Sequence, residues 1–237
     1  MKKLLKFCLC ICIMLIAVYL IYDHYKYHTI QISDDYISKH DDDFELISDL
    51  RKKYNNNEIT MFLELPGVFS LPIVQTENNT YYLSHNINKE ESSSGSPYLD
   101  YRNKSLHDRK LIIYGHNRLD MTLPLSSLIK YQNKNFFDNH KTIFLRSDHG
   151  KKTYDVFSVF NDDGKSEDYL ELSGFPGLEF YEHLLSLKEK SIYDTEVSIE
   201  ENSKVIILRT CAIESGCGEN PQYQVVVAKE VNHKIND

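Results

Sequence analysis

Short apolar runs separated by turn residues make up most of the chain from residue 59 onward. Runs of this length, bounded by Gly, Pro, Ser and Asp, predict β-strands. The clearest predicted strands are 61–65, 71–74, 110–114, 142–145, 154–160, 205–208 and 224–228. Many short strands at fairly even spacing, with few helices between them, predict a closed or nearly closed antiparallel barrel.

Helical spacing of apolar positions occurs in three regions. Apolar residues recur every three or four positions within 23–58, which predicts one or two amphipathic helices ahead of the barrel. A further helix is predicted over 175–190, and a short amphipathic turn is predicted over 125–131. The chain therefore divides into a helical extension at 23–58 and a β-rich domain at 59–237.

The N-terminus has the pattern of a membrane anchor. Lysines precede an uncharged apolar stretch at 7–22, and a spanning helix needs roughly 20 apolar residues. Residues 4–22 suffice if the Lys6 side chain extends to the interface. The positive flank predicts a cytoplasmic N-terminus and a domain outside the cell. A cleaved signal peptide is the alternative, but the stretch lacks the small residues of a cleavage site. We therefore predict a single-pass anchor in the cell membrane at 1–22.

The charge balance narrows the classes of partner. The chain has a net charge of −8, whereas nucleic-acid binding requires a basic surface. No nucleic-acid partner is therefore expected, and the acidic residues are read mainly as a solvated face. Hydrophobic residues make up 41% of the chain, which is enough for a sizeable core.

Cysteine usage singles out one candidate nucleophile. Cys8, Cys10 and Cys12 lie in the apolar N-terminal stretch, and only Cys211 and Cys217 follow it. A disulfide scaffold would use more pairs across the domain. A Cys211–Cys217 bridge closing a short loop is the alternative, and it would block the Cys211 thiol reversibly.

Cys211 and His116 each follow an apolar strand-like run. The run at 205–211 ends on Cys211 and opens into a polar loop, where a thiolate can form and be reached. His116 follows the predicted strand 110–114. A thiol and an imidazole at two strand ends predict a nucleophile and its proton partner. A half-buried core Cys and a structural His are the alternatives.

Other catalytic patterns are missing from the sequence. The histidines show no metal-type spacing with a Cys or a carboxylate. The chain also contains no phosphate loop, dinucleotide fingerprint or Gly-x-Ser-x-Gly elbow. No metal or cofactor is therefore expected.

Several segments together resemble the class B sortases. Residues 111–117 resemble the histidine motif of that family, and 208–211 resembles its Thr-Leu-x-Thr-Cys motif, with Ile207 where the first Thr belongs. Further segments agree in the same order along the chain, namely 62–67, 71–75, 79–83, 98–103 and 131–137. The resemblance extends from about residue 45 to 231.

This resemblance implies a fold and an activity. Sortases have an eight-stranded barrel with N-terminal helices and, in class B, a helix before the Cys strand, which corresponds to the predicted helix 175–190. The resemblance implies a membrane-tethered cysteine transpeptidase on a Gram-positive surface. Its partners would be surface proteins with C-terminal sorting signals of the Asn-Pro-x-Thr type. The acceptor would be an amine of cell-wall peptidoglycan or its lipid-linked precursor.

The resemblance also implies residue roles. Cys211 would attack the Thr carbonyl of the signal to form a thioester, and His116 would protonate the leaving amine. By the same analogy, Asn79 and Thr210 would line the substrate groove.

One departure from the family pattern concerns the oxyanion-stabilising Arg of the last strand. Tyr223 stands at that position, and losing such a contact costs roughly 3–4 kcal/mol in other enzymes. Arg209 lies two residues before Cys211, so both side chains point to one face of a strand. Our hypothesis is that Arg209 substitutes, with Tyr223 beside the substrate. The alternative is that Arg209 is a surface charge and the last strand aligns differently.

Two other functions are also open, and the missing last-strand Arg motivates the first of them. A sortase-like surface protein could bind sorting signals without efficient turnover. A hydrolytic cysteine peptidase would cleave the signal without adding an amine.

Overall fold

The computed structural model describes residues 2–27, 31–40, 42–117, 123–165, 168–172, 177–211 and 222–231. Its strands are β1 (Ile59–Leu65), β2 (Phe69–Val74), β3 (Tyr98–Leu99), β4 (Lys110–Tyr114), β5 (Thr142–Ser147), β6 (Gly150–Asp162), β7 (Val205–Cys211) and β8 (Tyr223–Val231). Its α-helices are α1 (Lys2–Tyr27), α2 (Asp34–Ser38), α3 (Asp43–Tyr54), α4 (Lys134–Asn139) and α5 (Gly177–Glu189). Three segments form 3-10 helices, Tyr81–Leu83, Pro124–Gln132 and Asp168–Leu170.

The strands close into a barrel in the order β1-β2-β3-β4-β7-β8-β6-β5. The predicted eight-stranded barrel with helices is therefore confirmed. The expectation of a wholly antiparallel barrel is wrong, because β2 pairs with β3 and β4 pairs with β7 in parallel. Parallel neighbours require a long crossover connection, and β5, β6 and α5 all lie between β4 and β7 in the chain.

The strands that carry the site are buried on both faces. In β7, Ile206 and Leu208 belong to the apolar cluster that fills the barrel, while Val205 and Ile207 belong to a second cluster on the outer face. Strands buried on both sides appear in the sequence as continuous apolar runs rather than alternating ones. The run at 205–208 is therefore explained by its two-sided burial.

Helices cover this outer face. The second cluster includes buried side chains of α3 and α5, which are Leu46, Ile47, Leu50, Phe180, Leu184 and Leu187. Burying a Leu or Ile side chain contributes about 1.5–3 kcal/mol, so this layer stabilises the wall that positions the site.

Helix α3 is defined by its caps and anchored to the barrel. The Asp42 carboxylate accepts hydrogen bonds from the backbone N–H groups of Phe44 and Glu45, and Asn55 ends the helix in the left-handed region with φ of 46°. Arg51 of α3 pairs with Asp148 at 2.9 Å. Phe44, one of the apolar residues of this helix, is exposed. The predicted division of the chain into a helical extension at 23–58 and a β-rich domain at 59–237 stays a prediction.

The prediction of a membrane anchor at 4–22 is wrong. Among the residues that the structure describes, no helix has both the length and the apolar character needed to cross a membrane. The predicted single-pass membrane localisation is corrected accordingly.

Candidate active site

A cavity of about 610 Å³ opens on the outer face of the barrel, beside the ends of β4 and β7. Its lining residues are Asn79, Leu83, Tyr98, Arg102, Tyr114, Gly115, His116, Leu170, Glu171, Arg209, Thr210 and Tyr223. Five of the six residues predicted for the site therefore border one cavity. The sixth, Cys211, ends β7 next to Thr210.

The pairing of β4 with β7 explains why these residues meet. Tyr114 is the register partner of Arg209, and the Gly115 N–H donates a hydrogen bond of 3.1 Å to the Arg209 carbonyl. His116 lies two residues after Tyr114, and Cys211 lies two residues after Arg209. Since side chains two positions apart share a face of a strand, this register directs the Cys211 position to the cavity face.

Cys211 is placed through its backbone. It is the last residue of β7 and the register partner of Tyr223 on β8. The side chain of Cys211 and the loop 212–221 lie outside the described residues, and so do Cys217 and the alternative Cys211–Cys217 bridge.

His116 is half-buried at the cavity wall. Its Nε2 atom lies 2.8 Å from the main-chain carbonyl oxygen of Leu83, in the short 3-10 helix Tyr81–Leu83. A carbonyl oxygen only accepts hydrogen bonds, so Nε2 carries the proton in this contact. Sequence analysis could not identify this partner, because a backbone carbonyl carries no residue-type signal.

Arg209 is placed on the cavity face by its register. Its guanidinium carbon lies 3.5 Å from the ring centroid of Tyr223, and the rings of Tyr114 and Tyr169 are each 5.9 Å away. A cation over aromatic rings is held by their electron-rich faces. The positive charge therefore lies beside the strand position that Cys211 occupies.

A buried carboxylate organises the floor of the cavity. Asp100 accepts hydrogen bonds from the Tyr114 hydroxyl at 2.8 Å, from Asn79 at 3.0 Å and from the Arg102 backbone and side chain. Burial alone would raise the pKa of Asp100, but the hydrogen bonds from Arg102 and Tyr114 outweigh burial and lower it. Burial raises the pKa of Tyr114, so its hydroxyl remains a protonated donor.

Asn79 and Thr210 border the cavity in different ways. The Asn79 amide donates to Asp100 and accepts from the Tyr101 N–H at 2.9 Å, so both ends of the amide hold the local chain. Thr210 is 1% exposed, and by the alternation of the strand its side chain shares the barrel face with Leu208.

Residues 168–172 form a wall that the sequence did not indicate. The Leu170 carbonyl accepts a hydrogen bond of 3.0 Å from Arg102, and the Tyr169 carbonyl accepts one of 3.1 Å from the Lys110 ammonium. Burial lowers the pKa of Lys110 to about 7 and that of His183, 3.1 Å from it, to about 4. This wall is therefore held by the side chains of Arg102, in the segment after β3, and of Lys110, at the start of β4.

Among the residues that the structure describes, no group of three or more His, Cys, Asp or Glu side chains could hold a metal ion.

Known proteins resemble this chain in sequence and in fold. No protein-family model matches the chain. Sortase B of Listeria monocytogenes is 30% identical over 165 residues, which cover 69% of this chain and 66% of that protein. The X-ray structure of Clostridium perfringens sortase B has a TM-score of 0.71 and 28% identity, covering 78% of this chain and 100% of that chain. A crystal structure of a sortase B complexed with triglycine has a TM-score of 0.74 and 26% identity, covering 83% of this chain and 90% of that chain.

The fold and the site define a class of protein. A closed mixed barrel that brings a His and a Cys to the ends of adjacent parallel strands, beside an outer-face cavity, is a barrel of the sortase type. In sequence and in fold, the chain is similar to the class B sortases. The resemblance inferred from its motifs is thereby confirmed. The match spans just under two thirds of the Listeria relative.

Proposed function

We propose that this chain is a cysteine transpeptidase that cleaves a C-terminal sorting signal of the Asn-Pro-x-Thr type after its Thr. It transfers the cleaved protein to an amine of Gram-positive cell-wall peptidoglycan or of its lipid-linked precursor. The observation that carries the proposal is the β4–β7 register, which brings His116, Arg209 and the Cys211 position beside one cavity.

The first half-reaction makes a thioester. The Cys211 thiolate attacks the Thr carbonyl carbon, and a C–S bond forms in a tetrahedral oxyanion. The oxyanion collapses and the C–N bond of the signal breaks. The His116 imidazolium gives its proton to the leaving amine, so that the signal tail departs as a neutral amine and His116 becomes neutral.

The second half-reaction transfers the acyl group. An acceptor amine attacks the thioester carbonyl, and neutral His116 takes a proton from that amine. A new C–N bond forms, the C–S bond breaks, and the thiolate of Cys211 and the imidazolium of His116 are restored. The related sortase B crystallised with triglycine, a peptide with a free amine, supports an amine as the acceptor.

Arg209 is the proposed oxyanion-stabilising residue. It shares a strand face with Cys211, and its guanidinium is held against Tyr223, which occupies the position of the family's last-strand Arg. A cation held beside the reacting carbonyl stabilises the transition state more than the ground state, because negative charge develops on the oxygen only as the thiolate attacks. Asn79, Thr210 and Tyr223 are the proposed groove residues.

A peptide assay tests the proposal. A fluorogenic Asn-Pro-x-Thr peptide is incubated with the protein, with and without triglycine, and the products are identified by mass spectrometry. A ligated Thr–triglycine product that disappears in Cys211→Ala supports transpeptidation. Cleavage that never incorporates triglycine would indicate the hydrolytic peptidase. Peptide binding with no cleavage would indicate the signal-binding protein, an alternative motivated by Tyr223 at the Arg position.

A further inference from the structure

The hydrogen bond between His116 and Leu83 restricts the ring chemistry of His116. In a neutral imidazole one nitrogen donates and the other accepts. Because the Leu83 carbonyl occupies Nε2 at 2.8 Å and can only accept, the neutral ring carries its proton on Nε2. Nδ1 is then the nitrogen that gains and loses the exchangeable proton.

The segment that presents the Leu83 carbonyl is rigidly held. Tyr82, the preceding residue, is buried, and its carbonyl accepts a hydrogen bond of 2.9 Å from the Ser96 N–H. The Tyr82 hydroxyl donates to Glu58 at 2.6 Å and accepts from Asn56 at 2.8 Å. These contacts connect the 3-10 helix to the chain just before β1.

Gly95 lies against both partners of the His116–Leu83 hydrogen bond. Its φ is 55°, and a Cβ added there would lie 2.3 Å from the Tyr82 carbonyl oxygen, 2.9 Å from that of Leu83 and 3.1 Å from the His116 Cδ2 atom. Two of these three atoms belong to the backbone, so the collision could not be relieved by a side-chain rotation. Gly95 therefore permits the 3-10 helix and the imidazole to come together.

We propose that the Leu83 carbonyl is the orienting member of a Cys–His–carbonyl unit, with Gly95 and Tyr82 as positioning residues that hold it in place. This inference rests on the proposed function, in which His116 moves protons. A base beside a nucleophile is commonly oriented by a third group, which fixes its tautomer. Here a main-chain carbonyl takes that role, so it cannot be removed by a side-chain substitution at Leu83.

The tautomer of His116 gives a direct test in the full chain without any change to the carbonyl. Nitrogen-15 shifts of the imidazole are recorded in Cys211→Ala, at a pH where the ring is neutral, and His116 is assigned by the loss of its signals in Cys211→Ala/His116→Gln. The expected result is protonation on Nε2. A ring protonated mainly on Nδ1 would refute the proposal.

Two glycine substitutions provide a matched pair for activity. Gly67 also has a positive φ, of 73°, but an added Cβ there would meet nothing within 4 Å. Gly67→Ala and Gly95→Ala therefore share the backbone strain, and only Gly95→Ala pushes on Leu83 and His116. For Gly95→Ala we expect kcat to fall roughly 10²-fold with KM nearly unchanged, as for a misplaced catalytic group. Its His116 tautomer should become mixed, whereas Gly67→Ala should match wild type in both readouts.

Each result separates this inference from the proposed function. A folded Gly95→Ala with the wild-type tautomer and kcat would overturn the positioning role. If Gly95→Ala fails to fold, the tautomer in Cys211→Ala still decides. If the wild-type chain shows no transpeptidation, the proposed function fails, while the tautomer comparison of the two glycine variants still supports or refutes the role of the carbonyl.

Discussion

The Arg209 guanidinium lies 3.5 Å over the ring of Tyr223, and these two residues come from adjacent antiparallel strands. Tyr223 is the register partner of Cys211, and Arg209 is two residues before Cys211 on the same strand. We propose that Arg209 on β7 takes the place of the cation that the family pattern assigns to β8, and that the aromatic ring at the β8 position holds it.

Removing this cation should slow the chemical step. We expect Arg209→Ala to lower kcat/KM about 10²–10³-fold, the loss found when an oxyanion donor is removed. Steady-state kinetics with the fluorogenic peptide measure it. Arg146→Ala removes an Arg from β5, away from the cavity, and should leave kcat/KM unchanged. Full activity in a folded Arg209→Ala would eliminate Arg209 as the oxyanion-stabilising residue.

The aromatic ring of Tyr223 should contribute more to kcat/KM than its hydroxyl group does. A cation–π contact is worth about 0.5–2 kcal/mol. We expect Tyr223→Phe to retain activity and Tyr223→Leu to lose roughly 2- to 30-fold in kcat/KM, as that energy implies. The double variant Arg209→Ser/Tyr223→Arg returns the cation to β8 and should be more active than Arg209→Ser alone. Equal kcat/KM for Arg209→Ser/Tyr223→Arg and Arg209→Ser would contradict the proposal that Arg209 on β7 replaces a cation on β8.

Asp100 should control acid stability. Its pKa is lowered in the folded state, so its stabilising contribution is complete above the ordinary value of 3.8 and is lost as the pH falls below it. Asp100→Asn removes the buried partner of Arg102, whose side chain is 36% exposed and therefore partly screened by solvent, and should cost about 1–3 kcal/mol at pH 7. Urea unfolding at several pH values measures both effects. The exposed Asp163, paired with Lys165, provides the control Asp163→Asn, which should leave unfolding at pH 7 unchanged.

Lys110 should produce its own pH trend on the alkaline side. Burial lowers its pKa to about 7 from an ordinary value of 10.5, so between these values the unfolded chain binds more protons. Stability contributed by this group therefore rises with pH over that interval. In Lys110→Met the rise should be smaller than in wild type, measured by urea unfolding from about pH 6 to 10. Parallel curves for the two proteins would show that Lys110 does not titrate in this range.

The strands and the candidate Cys–His pair could be predicted from the sequence because both depend on which types of side chain occupy which positions. β4 and β7 are buried on both faces and therefore appear as apolar runs that end in Gly-His and Thr-Cys. The two-residue strand β3 is too short to produce a pattern. The parallel pairing of β4 with β7 is a non-local choice that no local pattern records.

Other parts of the site could not be predicted for a different physical reason. Asp100 acts through partners contributed by Asn79, Arg102 and Tyr114, which the chain brings together only on folding. The partner of His116 is a main-chain atom that every residue possesses. The apolar N-terminal stretch shows the opposite error, since a local pattern that strongly resembled an anchor was not supported by the described helix.

The parallel contact between β4 and β7 also has a consequence for when the protein becomes reactive. His116 and Cys211 are brought side by side only after β5, β6 and α5 have been built and the wall has closed around them. Pairing strands that are distant in the chain costs loop-closure entropy before the contacts are made, which slows folding. We therefore expect His116 and the Cys211 position to meet only after the chain has been synthesised through β7.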